Sequence, residues 1–382
     1  MLHVDVRPEM LRWARARAGL DVAALAHRFP RLAAWENGEA RPTLRQLEDF
    51  AKATYTGVGY LFLPAPPVER VPIPDLRTVG NTHIDRPSPD LLDTLYLCQQ
   101  RQEWYRDYAR SLGEKPFSFV GAVSTQDDEV ATAASIRTAL GFDLHERREM
   151  PTWTEALQRF IEQADALGVL VMVNGVVGNN NHRKLDPDEF RGFALADSLA
   201  PLVFINGADT KAAQMFTLAH ELAHIWLGQS ALSDAGLRSM PSLQVERWCN
   251  RVAAELLVPR AVVEAEYQHD ADTRREAERL ARRFKVSQLV VLRRIYDIGG
   301  ITQEEFGRVY QQTLEQLREI ATEQAGGGNF YRTQAARVSK RFARALIAST
   351  LEGHTLHRDA FRLLGFSKLE TFRQLGASLG VL

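Results

Sequence analysis

The sequence has only two cysteines, Cys98 and Cys249, far apart and outside any CxxC spacing. That excludes a disulfide framework and a cysteine-built zinc site, and it points to a reducing cytoplasm. Long apolar runs are missing too. The longest nearly pure one, Leu167 to Val173, falls far short of a bilayer span. The opening MLHVDVRPEM has no basic region followed by an apolar stretch, so neither an export signal nor a membrane anchor is expected. Excess charge of one sign is also absent: 47 Lys and Arg against 48 Asp and Glu leave a net charge of -1. Bulk charge therefore selects no partner, and a 45% hydrophobic content excludes a disordered chain. The expectation is a cytoplasmic protein without membrane contact.

A length of 382 residues is enough for two or three domains. Seven of the sixteen prolines fall between Pro64 and Pro89, where no helical or strand period can persist. Residues 64–89 are thus expected to be a linker. Before it, residues 1–63 read as a small all-helical unit, with apolar residues at helical spacing (Met10, Leu11, Ala14; Leu25, Phe29; Leu44, Leu47, Phe50). After it, helices are expected around 90–111, 126–140 and 152–167, the last closing at Gly168. Short β-branched or apolar runs at Val169–Val173, Phe190–Leu195 and Leu202–Ile205 read as strands, separated by the turn-rich NGVVGNNNHRKLDPD and by DSLAP. They lead into a helix from about Lys211 to Leu227, and beyond Gly228 the pattern is helical to the end, broken at Gly326–Gly328. The fold class expected is α+β. It comprises an all-α N-terminal unit, a domain over 90–265 with a small sheet, a helical region over 266–325, and a helical C-terminal region over 326–382.

Chemistry concentrates in one segment. Phe216 to His224 reads FTLAHELAH, an HExxH motif inside the expected helix. Residues four apart are neighbours on one helix face, so the imidazoles of His220 and His224 can reach a single zinc ion. Glu221, adjacent to a ligand position, can reach a water at the ion without occupying the metal, the place of a general base. HExxH alone has few fixed letters, and many such helices carry histidines on a solvated face. Here Met215, Phe216, Leu218, Ala219, Leu222, Ala223, Ile225 and Trp226 surround it, so the helix is expected to be buried, and its polar groups then need partners.

A catalytic zinc takes three protein ligands and keeps one open position, so a third must come from elsewhere. Glu246 is the candidate: Glu246, Asn250 and Ala253 share a helical face whose small residues permit close approach, with Asn250 placed to orient a ligand. Glu255 is the competitor, and Glu246 could also be a surface acid at a helix start. Cys249 reads as a small core residue.

FTLAHELAH and ERWCNRVAAELLVP together resemble the ImmA/IrrE family of bacterial metallopeptidases, which pairs an FTLAHELGH-like helix with a later ExxAN-x-FAAxLLMP helix. RGFALAD and PLVFIN resemble the strands that precede them. The resemblance spans about residues 150–265. It implies a zincin-like, gluzincin-type peptidase with Zn2+ as cofactor, Glu246 as third ligand beside His220 and His224, and Glu221 as the catalytic base. It also implies a regulatory DNA-binding protein, such as a repressor of stress or mobile-element genes, as the protein substrate.

Residues 1–63 separately resemble the Xre-type helix-turn-helix, through LRWARARAGL, DVAALA and WENGEARPTLRQLEDFA. Chains that fuse the two modules are described as transcription regulators or toxin-antitoxin components. This sequence departs from the pattern: Glu36 follows Ala26 by ten residues where about fourteen are usual, and Pro30 falls where the recognition helix should begin. Nine Lys and Arg against seven Asp and Glu give this unit only +2. A denser basic stretch runs from Arg274 to Arg294, where LARRFKVSQLVVLRRI also has helix-turn-helix spacing; a solvated helix face is the competing reading. The function expected is an intracellular zinc-dependent endopeptidase with an appended helix-turn-helix module. The alternative is a DNA-binding regulator or antitoxin whose protease fold senses a partner. DNA and a second copy of the chain stand as further candidate partners.

Overall fold

A computed structural model describes residues 3–76, 87–233, 244–321 and 337–382. Part of the 64–89 linker and the glycine tract at Gly326–Gly328 lie outside these residues. The chain forms two compact units, Met1–Pro72 with Asp85–Asp93, and Ile73–Ile84 with Thr94–Leu382.

The first unit is helical: α1 (Pro8–Arg17), α2 (Val22–Ala26), α3 (Leu32–Glu36), α4 (Leu44–Ala53) and a 3-10 turn at Val58–Phe62. Pro8 opens α1, where its missing N–H costs nothing. Thr43 and Gln46 cap α4 reciprocally, each side chain serving the other's backbone N–H. Leu11, Ala14, Leu25, Phe29, Leu32, Trp35, Leu47 and Phe50 close over one small core. The helix α3 has only five residues, and three of them, Leu32, Trp35 and Glu36, face inward. The Glu36 carboxylate accepts from Arg15 Nε at 2.7 Å, which compensates its burial.

After Ile73–Ile84 the second unit takes in most of α5 (Pro89–Ser111) and continues through α6 (Glu129–Leu140), α7 (Leu144–Glu149) and α8 (Trp153–Leu167). Among the described residues six strands follow: β1 (Leu170–Asn174), β2 (Val176–Val177), β3 (Asn180–Lys184), β4 (Gly192–Leu195), β5 (Leu202–Asn206) and β6 (Ala231–Ser233). Between β5 and β6 runs α9 (Lys211–Leu227). The main sheet has the order β1-β5-β4-β6, with β1 and β5 parallel and the other pairs antiparallel. Strands β4 and β5 are buried at every residue, which explains why their sequences run apolar without alternation. Val171, Ala194, Val203 and Ile205 share a core with Leu218 and Leu222 of α9. Phe193 and Phe204 occupy alternate positions and stack on each other at 5.0 Å. Gln102 of α5 donates to the carbonyls of Leu195 and Ala200, both at 2.8 Å, and so ties that helix to the end of β4.

Further helices among the described residues are α10 (Gln244–Leu257), α11 (Arg260–Glu266), α12 (Thr273–Phe284), α13 (Gln288–Asp297) and α14 (Gln303–Ala321), then α15 (Lys340–Leu351), α16 (His357–Leu364) and α17 (Leu369–Leu379). Two features depart from expectation. The stretch NGVVGNNNHRKLDPD, read as turns, holds the β2–β3 hairpin, whose second strand is polar and mostly exposed and so shows no apolar run. The chain beyond Gly228, read as uniformly helical, first forms β6, three residues that are too few to display a period.

The helix α9 is fixed at both ends. Thr210 accepts from the Ala213 N–H, and Gly228 closes the helix at φ +66°. Just before that cap, the carbonyls of Ile225 and Trp226 accept from Gly121 and Val123, at 3.2 Å each. A Cβ on Gly228 would stand 2.9 Å from the Gly121 Cα, a backbone atom that cannot swing aside. Gly228→Ala should therefore cost about 1–3 kcal/mol from the left-handed conformation alone, more with the clash. A denaturant melt of the variant checks this. An unchanged midpoint would mean that the Gly121 segment does not brace α9.

Candidate metal centre

Helix α9 is apolar all round and buried from Gln214 to Leu227, as its composition requires. His220, Glu221 and His224 lie in it at 0% exposure. Helix α10 packs along α9 on one side and along α6 on the other, and the Trp248 indole N–H donates to the Asp127 carbonyl at 3.0 Å to hold it there. This places Glu246, in the first turn of α10 and 1% exposed, against the two histidines. Its Oε1 lies 3.0 Å from His224 Nε2 and its Oε2 lies 3.3 Å from His220 Nε2, while the two Nε2 atoms are 3.2 Å apart. Among the described residues, His220, His224 and Glu246 form the cluster whose ligand atoms converge closely enough to hold a metal ion.

The donor set passes a test of fit to zinc. Atoms bound to one ion at about 2.0–2.1 Å and at tetrahedral angles stand about 3.3 Å apart, and the three contacts found here are 3.0–3.3 Å. Asn250 Oδ1 lies 2.9 Å from His220 Nδ1. Accepting from that N–H, it fixes the tautomer that leaves the Nε2 lone pair pointing into the cluster. His224 Nδ1 and both oxygens of Glu221 are buried without hydrogen-bond partners. Such orphaned groups are costly unless something not on the chain compensates them.

The electrostatics follow from this crowding. Burial pushes the Glu221 carboxyl up, to about 8, with Glu246 adding to the rise while His220 and nearby Ser233 oppose it. Ser233 approaches Glu221 without an acceptable hydrogen bond to it, although its Oγ lies 3.3 Å from His224 Nε2. Burial also works against ionising Glu246, but the two imidazoles outweigh it and hold that carboxyl down at about 2. Burial disfavours protonated His220, yet Glu246 and Glu221 raise it overall; burial and His220 together lower His224. Glu246 is thus an anion between two imidazoles, and Glu221 is the buried acid with nothing to hold it.

The other candidates lie elsewhere. Glu255 faces away from the histidines, accepts from the Arg260 N–H at 3.2 Å at the start of α11, and meets Arg294 Nη2 at 3.3 Å. Tyr267 and His269, polar residues just beyond α11, pack against each other, with the Tyr267 hydroxyl donating to the Gly300 carbonyl at 3.2 Å. Cys249 is a buried thiol pushed well up by burial and by the carboxylates of Glu246 and Glu221.

Two residues at this site carry no sequence signal. Ser233 is a lone serine ending a three-residue strand. Gly192, paired with it across the sheet, lies where a Cβ would meet Thr217 Cγ2 at 2.6 Å and Glu221 Oε1 at 3.3 Å. The missing side chain lets α9 approach the sheet at Glu221.

The basic stretches are largely committed to the fold. Arg279 pairs with Glu276, Arg282 with Glu278, Arg283 with Glu266, Arg293 with Asp297 and Arg294 with Glu255. Helices α12 and α13 are consecutive and pack together, with α13 buried at Leu289 to Leu292, Arg294 and Ile295. Near the C-terminus, Arg337 donates to Asn179, Lys340 to Glu162, Arg341 to the Tyr105 hydroxyl and Arg344 to the Leu379 carbonyl.

Residues 164–296 match the Peptidase_M78 family model, described as an IrrE N-terminal-like domain, and residues 338–378 match a domain of unknown function, DUF8813. No curated protein and no solved structure matches the chain. The first match contains every residue of the cluster and supports a peptidase of the metal-dependent kind for that segment. No helix among the described residues is long and apolar enough to cross a membrane.

Metal retention separates the two acids. Purified Glu246→Ala and His224→Ala should lose bound zinc, whereas Glu255→Ala should keep it and lose stability by about 3–5 kcal/mol, the usual cost of stranding a buried charge. Metal analysis per chain beside a thermal melt reads both, and full zinc content in Glu246→Ala would remove Glu246 from the ligand set.

Proposed function

We propose that this chain is a zinc-dependent endopeptidase in which His220, His224 and Glu246 hold the metal and Glu221 is the general base. The observation that carries the reading is the Glu221 carboxyl: fully buried, beside the three convergent donors, and unpartnered at both oxygens. Zinc, when bound, lowers the pKa of a water to about 7 and polarises a peptide carbonyl. With a cation beside it favouring the ionised form that burial alone disfavours, Glu221 would take the proton of the attacking water at one oxygen. It then gives that proton to the leaving amine. Asn250 holds His220 in the tautomer that turns Nε2 inward. Glu246 contributes the one negative charge of the ligand set. Burial of all these groups excludes bulk water and strengthens each interaction.

The substrate we assign is a regulatory protein, of the DNA-binding kind the family resemblance implies, in a cytoplasmic setting. The N-terminal unit contributes recognition or localisation and not base reading, because α3 turns Leu32, Trp35 and Glu36 inward and leaves Ala33 and Ala34 outward. Neither alanine carries a hydrogen-bonding group for a base edge.

Glu221→Gln should keep its zinc and its melting temperature while losing at least about 100-fold in turnover of an unstructured protein substrate, since the amide cannot accept a proton. Measuring turnover against metal content decides this, and an active variant would place the base elsewhere. The intact chain should also bind the promoter region of its own gene no more tightly than scrambled DNA, at roughly 10⁻⁴ to 10⁻⁶ M at physiological salt. Competitor-resistant nanomolar binding in a salt series would instead favour the transcription-regulator reading.

A further inference from the structure

The strand β6 is the outer member of the main sheet, and it runs into the metal centre: Ser233, its last residue, reaches within 3.3 Å of His224 Nε2. One edge of β6 is paired with β4. Its other edge is not bare. Asp75 lies parallel beside Leu232, the Leu232 N–H donates to the Pro74 carbonyl at 2.9 Å, and the Leu76 N–H donates to the Leu232 carbonyl at 2.9 Å. Both of Leu232's outward backbone groups are therefore taken by the proline-rich segment that enters this unit. Pro74 serves because this register asks only for its carbonyl; its missing N–H is not required. Asp75 is exposed, and Leu76 is half-buried.

A sheet edge offers a row of backbone donors and acceptors to any extended chain, whatever its sequence. Here that edge ends at the metal centre, and a segment of the chain itself is seated on it. We propose that Pro74–Leu76 is a resident strand that occupies the β6 edge in the resting protein and must leave before an extended polypeptide can be held there beside Glu221. The occupant seen in the structure identifies the ligand chemistry that the edge accepts, an extended backbone with one carbonyl and one N–H two residues apart. The proposal rests on the peptidase reading for its consequence, but the pairing and its competition with a second chain do not depend on cleavage.

Two backbone hydrogen bonds seat the segment on Leu232, each of modest net strength. An occupant that blocks its own site most of the time lowers apparent affinity by the fraction of time the edge is free. Releasing it should therefore raise activity, a gain that misfolding cannot imitate. Leu76→Pro removes the N–H donor, and Leu76→Ala keeps it as the control. The probe is reduced, carboxymethylated lactalbumin, an unstructured polypeptide, bound to zinc-loaded protein carrying Glu221→Gln so that nothing is cut. Addition of Leu76→Pro should tighten binding at least about five-fold and speed amide exchange at Leu232, with Leu76→Ala close to the parent. Faster exchange with unchanged or weaker binding would overturn the proposal, as would exchange at Leu232 that does not change. The same pair of substitutions at position 76 with Glu221 intact then separates the two readings. Tighter binding with faster cleavage supports both, and tighter binding with no cleavage keeps the resident strand while removing the peptidase.

Discussion

The constraint on which the rest depends is the burial of two imidazoles and two carboxylates on adjoining helices. Polar groups taken from water must find partners, and here the protein supplies only some of them. Asn250 satisfies one nitrogen of His220, and Glu246 lies between both Nε2 atoms, yet Glu221 and His224 Nδ1 have no partner. An apolar helix would fill this space at lower cost. The convergent lone pairs of His220, His224 and Glu246 fit a cation, which would also favour the ionised form of Glu221.

Much of the architecture serves to bring α9 to this point. Thr210 and Gly228 fix its length, the Gly121–Val123 segment braces its C-terminal turn, and Gly192 removes the side chain that would hold the sheet away from Glu221. Helix α10 must lie close to α9, and its small residues Cys249 and Ala253, both 0% exposed, permit that. Glu255, further along α10, plays another part, since with Arg294 and the start of α11 it anchors the helical region that follows. Two acids on one helix thus divide between site and scaffold according to the face they occupy.

The pairing of His220 with His224, and of Glu246 with Asn250 and Ala253, was legible in the sequence because each set rests on a local period, whereas the period alone left Glu255 as a competitor and the family resemblance implied Glu246. Histidines four apart share a helix face, and Glu246, Asn250 and Ala253 share another. The main strands were legible as β-branched or apolar runs, since burial on both faces leaves few polar residues to interrupt them. What escaped was non-local or too short. Ser233 comes to His224 only because β6 pairs with β4, and three residues cannot show a period. Gly192 looks like any strand glycine until the helix above it is placed. The pairing of Pro74–Leu76 with Leu232 joins residues more than 150 positions apart, and a proline-rich stretch gives no cue that it will join a sheet. In the first unit, the ten-residue spacing from Ala26 to Glu36 and Pro30 left room for a short helix only, and α3 has five residues.

What occupies the space between α9 and α10 is the decisive question. X-ray absorption at the zinc edge, on the purified chain, reads the ligand atoms directly. A centre built from His220, His224 and Glu246 predicts a shell of nitrogen and oxygen at about 2.0–2.1 Å with the outer-shell scattering of two imidazoles, and no sulfur at about 2.3 Å. A sulfur shell would bring Cys249 into the site and contradict the ligand set; a chain that holds no zinc at all would contradict the metal centre itself.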